Sequence, residues 1–126
     1  MDVETRQLQQ QLTEAGQLPE VLILKPITTS TNDDVREIAQ KGVQSILVCS
    51  TRQTHGRGQR QRQWVSPEGN IYLSTLLNLR TPVNGRLALE IALNILQMPS
   101  LLVLNLQVKW PNDLYSPQGK WGGILI

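Results

Sequence analysis

The chain has 126 residues, 40% hydrophobic and 17% charged, with a formal net charge of +2. That length and balance fit one globular domain with a real core and exclude a disordered chain. A charge so small excludes nucleic-acid binding argued from charge alone. The distribution says more than the total: seven of the ten acids fall within the first 37 residues, and four of the twelve bases lie between Arg52 and Arg62.

One cysteine, Cys49, excludes an internal disulfide. It lies in the apolar run Ile46-Leu-Val-Cys49 and reads as a buried, unreactive thiol. His55 is the single histidine, too little for a histidine-based metal site. No positive segment followed by an apolar one opens the chain, and no apolar run reaches the ~20 residues needed to span a bilayer. A cytoplasmic protein without membrane contact is the expectation.

In chain order, residues 1–18 are Gln-rich and polar with sparse leucines, and read as a short frayed helix or disorder ending at Pro19. Val21–Ile27 is a strand closed by Pro26. Thr31 with Asp34 three residues on resembles a capping box. Val35, Ile38 and Ala39 then recur at helical spacing, so a helix is predicted from about Asn32 to Lys41, stopped by Gly42. Ser30, Thr31 and Asn32 have two readings: capping groups alone, or a polar helix entry that recognises a small ligand. Ser45–Thr51 is a second strand.

From its end leaves Arg52-Gln-Thr-His-Gly-Arg-Gly-Gln-Arg-Gln-Arg-Gln-Trp64, with four arginines, no acid and glycines on both sides of Arg57. Glycine permits close backbone approach. Arginine offers a planar fork suited to carboxylate and phosphate. The segment therefore reads as a mobile loop that closes over an anion, or as a solvated basic surface. Pro67 and Gly69 make a turn, and Ile71–Leu79 is a third strand. Arg86–Gln97 is a strongly apolar helix, expected to be largely buried and ended by Pro99. Leu104–Lys109 alternates as a strand. Tyr115–Gly119 is a hairpin turn, and Lys120–Ile126 begins another strand. No linker divides the chain.

Ser30-Thr31-Asn32, Gln53-Thr-His-Gly56-Arg57-Gly58, Trp64-Val-Ser-Pro67, Gly69-Asn-Ile-Tyr-Leu-Ser74, Lys109-Trp-Pro-Asn-Asp-Leu114 and Gly122-Gly-Ile-Leu-Ile126 together resemble the biotin–protein ligase (biotin–acetyl-CoA-carboxylase ligase) family. The resemblance covers about residues 22–126. It implies an α+β fold, a mixed β-sheet with flanking helices. The type is the class II aminoacyl-tRNA synthetase/biotin ligase catalytic fold, here truncated at its C-terminal side. Residues 1–20 would be a polar N-terminal segment and 21–126 a partial catalytic domain. With so short a lead-in, no DNA-binding domain and no DNA partner are expected.

The resemblance also implies chemistry. The biotin carboxylate attacks the α-phosphate of ATP, assisted by Mg²⁺, to give biotinyl-adenylate and pyrophosphate. A lysine of a biotin carboxyl-carrier protein domain then accepts the biotinyl group. Ser30, Thr31, Asn32, Gln53, Gly56 and Arg57 would bind biotin. Gly58, Arg60, Arg62, Trp64 and Asn112 would bind the nucleotide. Lys109 and Arg57 would be catalytic, and Asp113 would be a candidate partner for the metal. Gln59 and Gln61 depart from the family, which commonly has Arg and Gly there. The missing cation at Gln59 implies faster leakage of the adenylate. Two other readings stay open: a remnant that binds biotin or adenylate without turnover, and a lipoate or octanoate ligase. The oligomeric state is left open.

Overall fold

The computed structural model describes residues 2–126. They form two compact units, the first closing at Asn78 and the second spanning Leu79–Ile126. The strands form two three-stranded sheets, one in each unit, and the first of them is mixed.

The first unit opens with α1 (Val3–Glu14), capped where Thr5 N–H donates to Asp2 Oδ1 at 2.7 Å. The lead-in is therefore an ordered helix, although none of its residues is buried. Next come β1 (Val21–Lys25), α2 (Thr31–Gln40), β2 (Ile46–Ser50) and β3 (Tyr72–Thr75). β2 is central, parallel to β1 and antiparallel to β3. The parallel pair is possible because α2 supplies the crossover. β2 alternates strictly, burying Ile46, Val48 and Ser50. Ile46 and Val48 meet Val35 of α2, with Ile23, Ile38 and Leu76 packed around them. Burying each of these β2 side chains stabilises by about 1.5–3 kcal/mol.

Three expectations change here. The helix cap is Ser30, whose hydroxyl accepts from Asp33 N–H, and Thr31 is the first helical residue. The third strand is four residues, not nine. Its partner β2 begins at Ile46, so Leu76 makes the last ladder bond, to the Ile46 carbonyl. Cys49 points to the less covered face of β2 and is half-buried, not buried.

The second unit holds α3 (Arg86–Leu96), β4 (Gln107–Lys109), β5 (Asp113–Ser116) and β6 (Gly119–Gly123). The strands form an antiparallel meander with a bulge at Leu114/Tyr115. Leu114 is its buried centre. Of α3 only Ala88 and Ala92 are buried, and Leu93 stays exposed. The helix packs against β4 and the following turn, so one face is covered rather than most of it. The strand expected from Leu104 starts at Gln107. Pro99–Leu104 winds as a 3-10 turn instead, ended by Asn105 at φ 50°. Proline favours the first position of such a turn, and asparagine tolerates the left-handed exit. The turn before β6 is shorter than expected because Tyr115 and Ser116 already belong to β5.

Candidate functional site

The entry to α2 is held by the part-buried side chains of Gln53 and Ser74, with Ser66 behind Gln53. Thr31 donates its N–H to Gln53 Oε1 at 2.8 Å and its hydroxyl to the same oxygen at 3.2 Å. Gln53 Nε2 donates to Ser66 Oγ at 3.0 Å, and Ser66 Oγ donates to the Trp64 carbonyl at 2.9 Å. Ser74 of β3 lies 2.8 Å from the Thr31 hydroxyl. Main-chain bonds repeat the connection: Gln53 N–H donates to Ser66 O, and His55 N–H to Thr29 O. Ser30, Thr31 and Ser66 are each buried. Gln53 therefore satisfies a first-turn N–H that a helix leaves without an internal partner. Asn32 is half-buried beside them. So the structure brings Ser30, Thr31, Asn32 and Gln53 together, as the sequence motif suggested, and adds Ser66 and Ser74.

The basic segment is a folded hairpin rather than an open loop. Arg57 and Gln63 pair across it, Gly58 N–H donates to Arg62 O at 2.8 Å, and Trp64 N–H donates to Gly56 O at 2.8 Å. Its tip is a 3-10 turn over Gln59–Gln61, with Arg60 and Gln61 at φ 57° and 62°. The two glycines differ. A methyl group on Gly56 would meet Ser66 Oγ and Trp64 O, both at 2.3 Å, whereas at Gly58 the nearest atom is 3.5 Å away. Gly56 is required by the fold itself. Gly58 is not required by packing. Behind the hairpin lies an open cavity of about 510 Å³ lined by residues including Arg52, Gln53, His55, Gly56, Trp64 and Ser66.

Arg57 has a partner that the sequence reading missed. Its Nε donates to Asp33 Oδ1 at 2.7 Å and a terminal nitrogen donates to Oδ2 at 3.0 Å. The hydrogen bonds, then the charge of Asp33, hold the guanidinium above its ordinary pKa. An acid directly after Ser-Thr-Asn was the one available signal. Arg60 and Arg62 are exposed.

In the second unit, Lys109 is exposed, with Nζ 5.1 Å from the centre of the Tyr115 ring. Asn112 is used structurally: its Nδ2 donates to Ile124 O at 2.8 Å, and Ile124 N–H donates back to Asn112 O at 2.9 Å. Asp113 pairs with Lys120 at 3.1 Å. No cluster of three metal-binding side chains occurs among the described residues, and Asp113 is already ion-paired. Mg²⁺ commonly takes one or two carboxylates beside substrate phosphates. Asp113, with its carboxylate paired to Lys120, does not offer a free carboxylate for such an ion. No helix among the described residues is long and apolar enough to cross a membrane.

Residues 24–126 match the family model for the biotin/lipoate A/B protein ligase family. The bifunctional ligase/repressor BirA of Escherichia coli is 33% identical over 105 residues, covering 80% of this chain and 33% of that protein. The biotin–[acetyl-CoA-carboxylase] ligase of Paracoccus denitrificans is 37% identical over 110 residues, covering 79% of the chain and 43% of the relative. Among solved structures, the biotin protein ligase of Aquifex aeolicus in complex with biotin and ATP superposes with a TM-score of 0.71. It is 30% identical over 84% of this chain and 46% of its own. The Leishmania major enzyme in complex with biotinyl-5-AMP gives a TM-score of 0.60 and 28% identity, over 85% and 51% of the two chains. The chain thus spans between a third and about half of the length of these relatives.

Proposed function

The chain belongs to the biotin/lipoate A/B protein ligase family, and from that premise we propose that it serves the ATP-dependent activation of biotin to biotinyl-adenylate. Transfer to a lysine of a biotin carboxyl-carrier domain would follow. On this reading residues 21–126 supply part of the catalytic domain and residues 1–20 a polar lead-in. The observation that carries the reading is the relay from buried Thr31 through half-buried Gln53 to buried Ser66. It fixes the Ser30-Thr31-Asn32 helix entry against the strand that leads into the arginine hairpin.

The chemistry needs that arrangement. A carboxylate must approach a phosphate, and both are anions, so fixed cations must offset their repulsion. Arg57, Arg60 and Arg62 are gathered on one short hairpin. Gly58 has no side chain where one would be sterically tolerated, which would let a ligand pass close to the main chain. Asn32 and Gln53 would read the polar end of biotin, and Trp64 would flank the adenine. Lys109 would contact the reacting carboxylate and phosphate oxygens, where a fixed cation stabilises charge that develops in the transition state.

The test is biotin-dependent release of pyrophosphate from ATP, with Mg²⁺ supplied. Release supports the activation reading. Calorimetric binding of biotin without release replaces it with a binding role. Octanoate or lipoate outcompeting biotin would move the chain to the other branch of the family.

A further inference from the structure

Arg57 is the cation that the family resemblance places on the ligand, yet its fork is already in use. The two hydrogen bonds to Asp33, at 2.7 and 3.0 Å, reproduce the two-point geometry an arginine would offer a ligand carboxylate or phosphate. Asp34, next in sequence, cannot stand in for Asp33. It is held by Lys25 at 3.1 Å and accepts the Thr28 hydroxyl. Asp33 lies in the first turn of α2, where the positive end of the helix favours a carboxylate.

The contact is also built to be exchanged. The two side chains keep 52% and 34% of their surface in solvent, so parting them strands no buried charge. Neither Arg60 nor Arg62 makes a salt bridge among the described residues. The Arg57–Asp33 pair is therefore the ion pair that ties the hairpin to α2. The hairpin tip holds two non-glycine residues in the left-handed region, a strained conformation for such residues.

We infer that Asp33 is an internal anion: it occupies the Arg57 fork and docks the hairpin on α2 until a ligand carboxylate or phosphate takes its place. The inference rests on the proposed function for the identity of the ligand, but the competition itself needs only an anion that binds Arg57. Asp33 thereby sets how tightly the hairpin captures its ligand, acting through Arg57.

The experiment compares wild type, Asp33→Asn and Asp33→Glu in the full chain, with biotinyl-5′-AMP as probe and calorimetry as readout. An exposed ion pair of this kind corresponds to up to about a fivefold change in an equilibrium constant. Asp33→Asn should therefore bind the probe roughly two- to fivefold more tightly than wild type. Asp33→Glu should return to the wild-type value. The gain should vanish when Arg57→Gln is added, and shrink in about 1 M KCl, where charges are screened within ~3 Å. A merely structural Asp33 would not show that salt dependence. Equal or weaker binding by Asp33→Asn overturns the inference. Should wild type not bind biotinyl-5′-AMP, the functional reading falls separately. The same comparison is then made with inorganic pyrophosphate, where unchanged affinity, or no binding by any variant, overturns the inference as well.

Discussion

Gly56→Ala is the sharpest structural perturbation of the site. The added methyl carbon would lie 2.3 Å from both Ser66 Oγ and Trp64 O. Comfortable contact begins near 3.5 Å, so each oxygen must retreat by roughly 1 Å. Three hydrogen bonds depend on those atoms staying in place: Trp64 N–H to Gly56 O, Ser66 Oγ to Trp64 O, and Gln53 Nε2 to Ser66 Oγ. Each contributes about 1 kcal/mol net, and more where a buried group is left unpaired. The expected loss is therefore about 3 kcal/mol. Urea unfolding, with the midpoint and slope fitted together, measures it. Gly58→Ala is the control. Its nearest neighbour is 3.5 Å away, so its loss should stay under about 1 kcal/mol, the ordinary range for a site without a steric conflict. A Gly56→Ala loss below about 1 kcal/mol would refute the claim that this glycine is fixed by packing. If Gly58→Ala leaves stability intact but abolishes ligand binding, the second glycine is there for close approach of a ligand.

Four further outcomes follow from the geometry. Gln61→Gly removes a left-handed non-glycine residue at φ 62° and should steady the hairpin by about 1 kcal/mol. Slower hydrogen exchange at Gly58 N–H is the readout, and faster exchange would contradict it. Thr31→Val strips the hydroxyl from a buried relay position and should cost about 1–3 kcal/mol in thermal or urea unfolding; a neutral result would mean the relay does not stabilise α2. Burial pushes the Cys49 thiol up from its ordinary value. The folded state thus favours the neutral thiol. The stability this provides is complete below the unfolded value of about 8.5 and is lost as pH rises through the folded value. Alkylation at pH 8.5 should accordingly be slower in the folded chain than in urea, and equal rates would argue against the shift. Finally, Gln59→Arg adds a cation to the hairpin and should slow release of biotinyl-adenylate; an unchanged release rate would remove Gln59 from the account of ligand retention.

Local patterns in the sequence were legible because their causes are local. The apolar spacing of Val35, Ile38 and Ala39 announces α2, and the run Ile46–Cys49 announces β2. The Ser-Thr-Asn entry could be marked because polar groups gather at a helix start, and the glycine-flanked Arg57 because its segment carries no large apolar side chain to anchor it. What the chain hid depends on long-range pairing. Arg57 finds Asp33 across 24 residues, and Gln53 joins Thr31 to Ser66 across 22 and 13. Nothing in the spacing of the basic segment tells an open loop from a hairpin, because its closing bonds are all main-chain. Strand ends were misjudged for a similar reason. β3 stops where β2 runs out of partners, not where its own apolar pattern stops.

The relay through Gln53 also has a polarity. The Thr31 N–H can only donate, which fixes the Oε1 end of the amide toward α2. The Trp64 carbonyl can only accept, so the single proton of Ser66 is committed to it. Thr31 spends its own hydroxyl proton on Oε1, and the contact with Ser74 must then run from Ser74 toward Thr31. The arrow begins at β3, passes through α2, and meets the amide at its oxygen. A second arrow leaves the amide nitrogen and ends in the hairpin stem. With its proton committed, Ser74 at the outer terminus has only lone pairs to offer. A donor arriving there extends the chain without reversing any bond, whereas an acceptor would have to turn Ser74 around and leave the Thr31 hydroxyl without the proton it receives from β3.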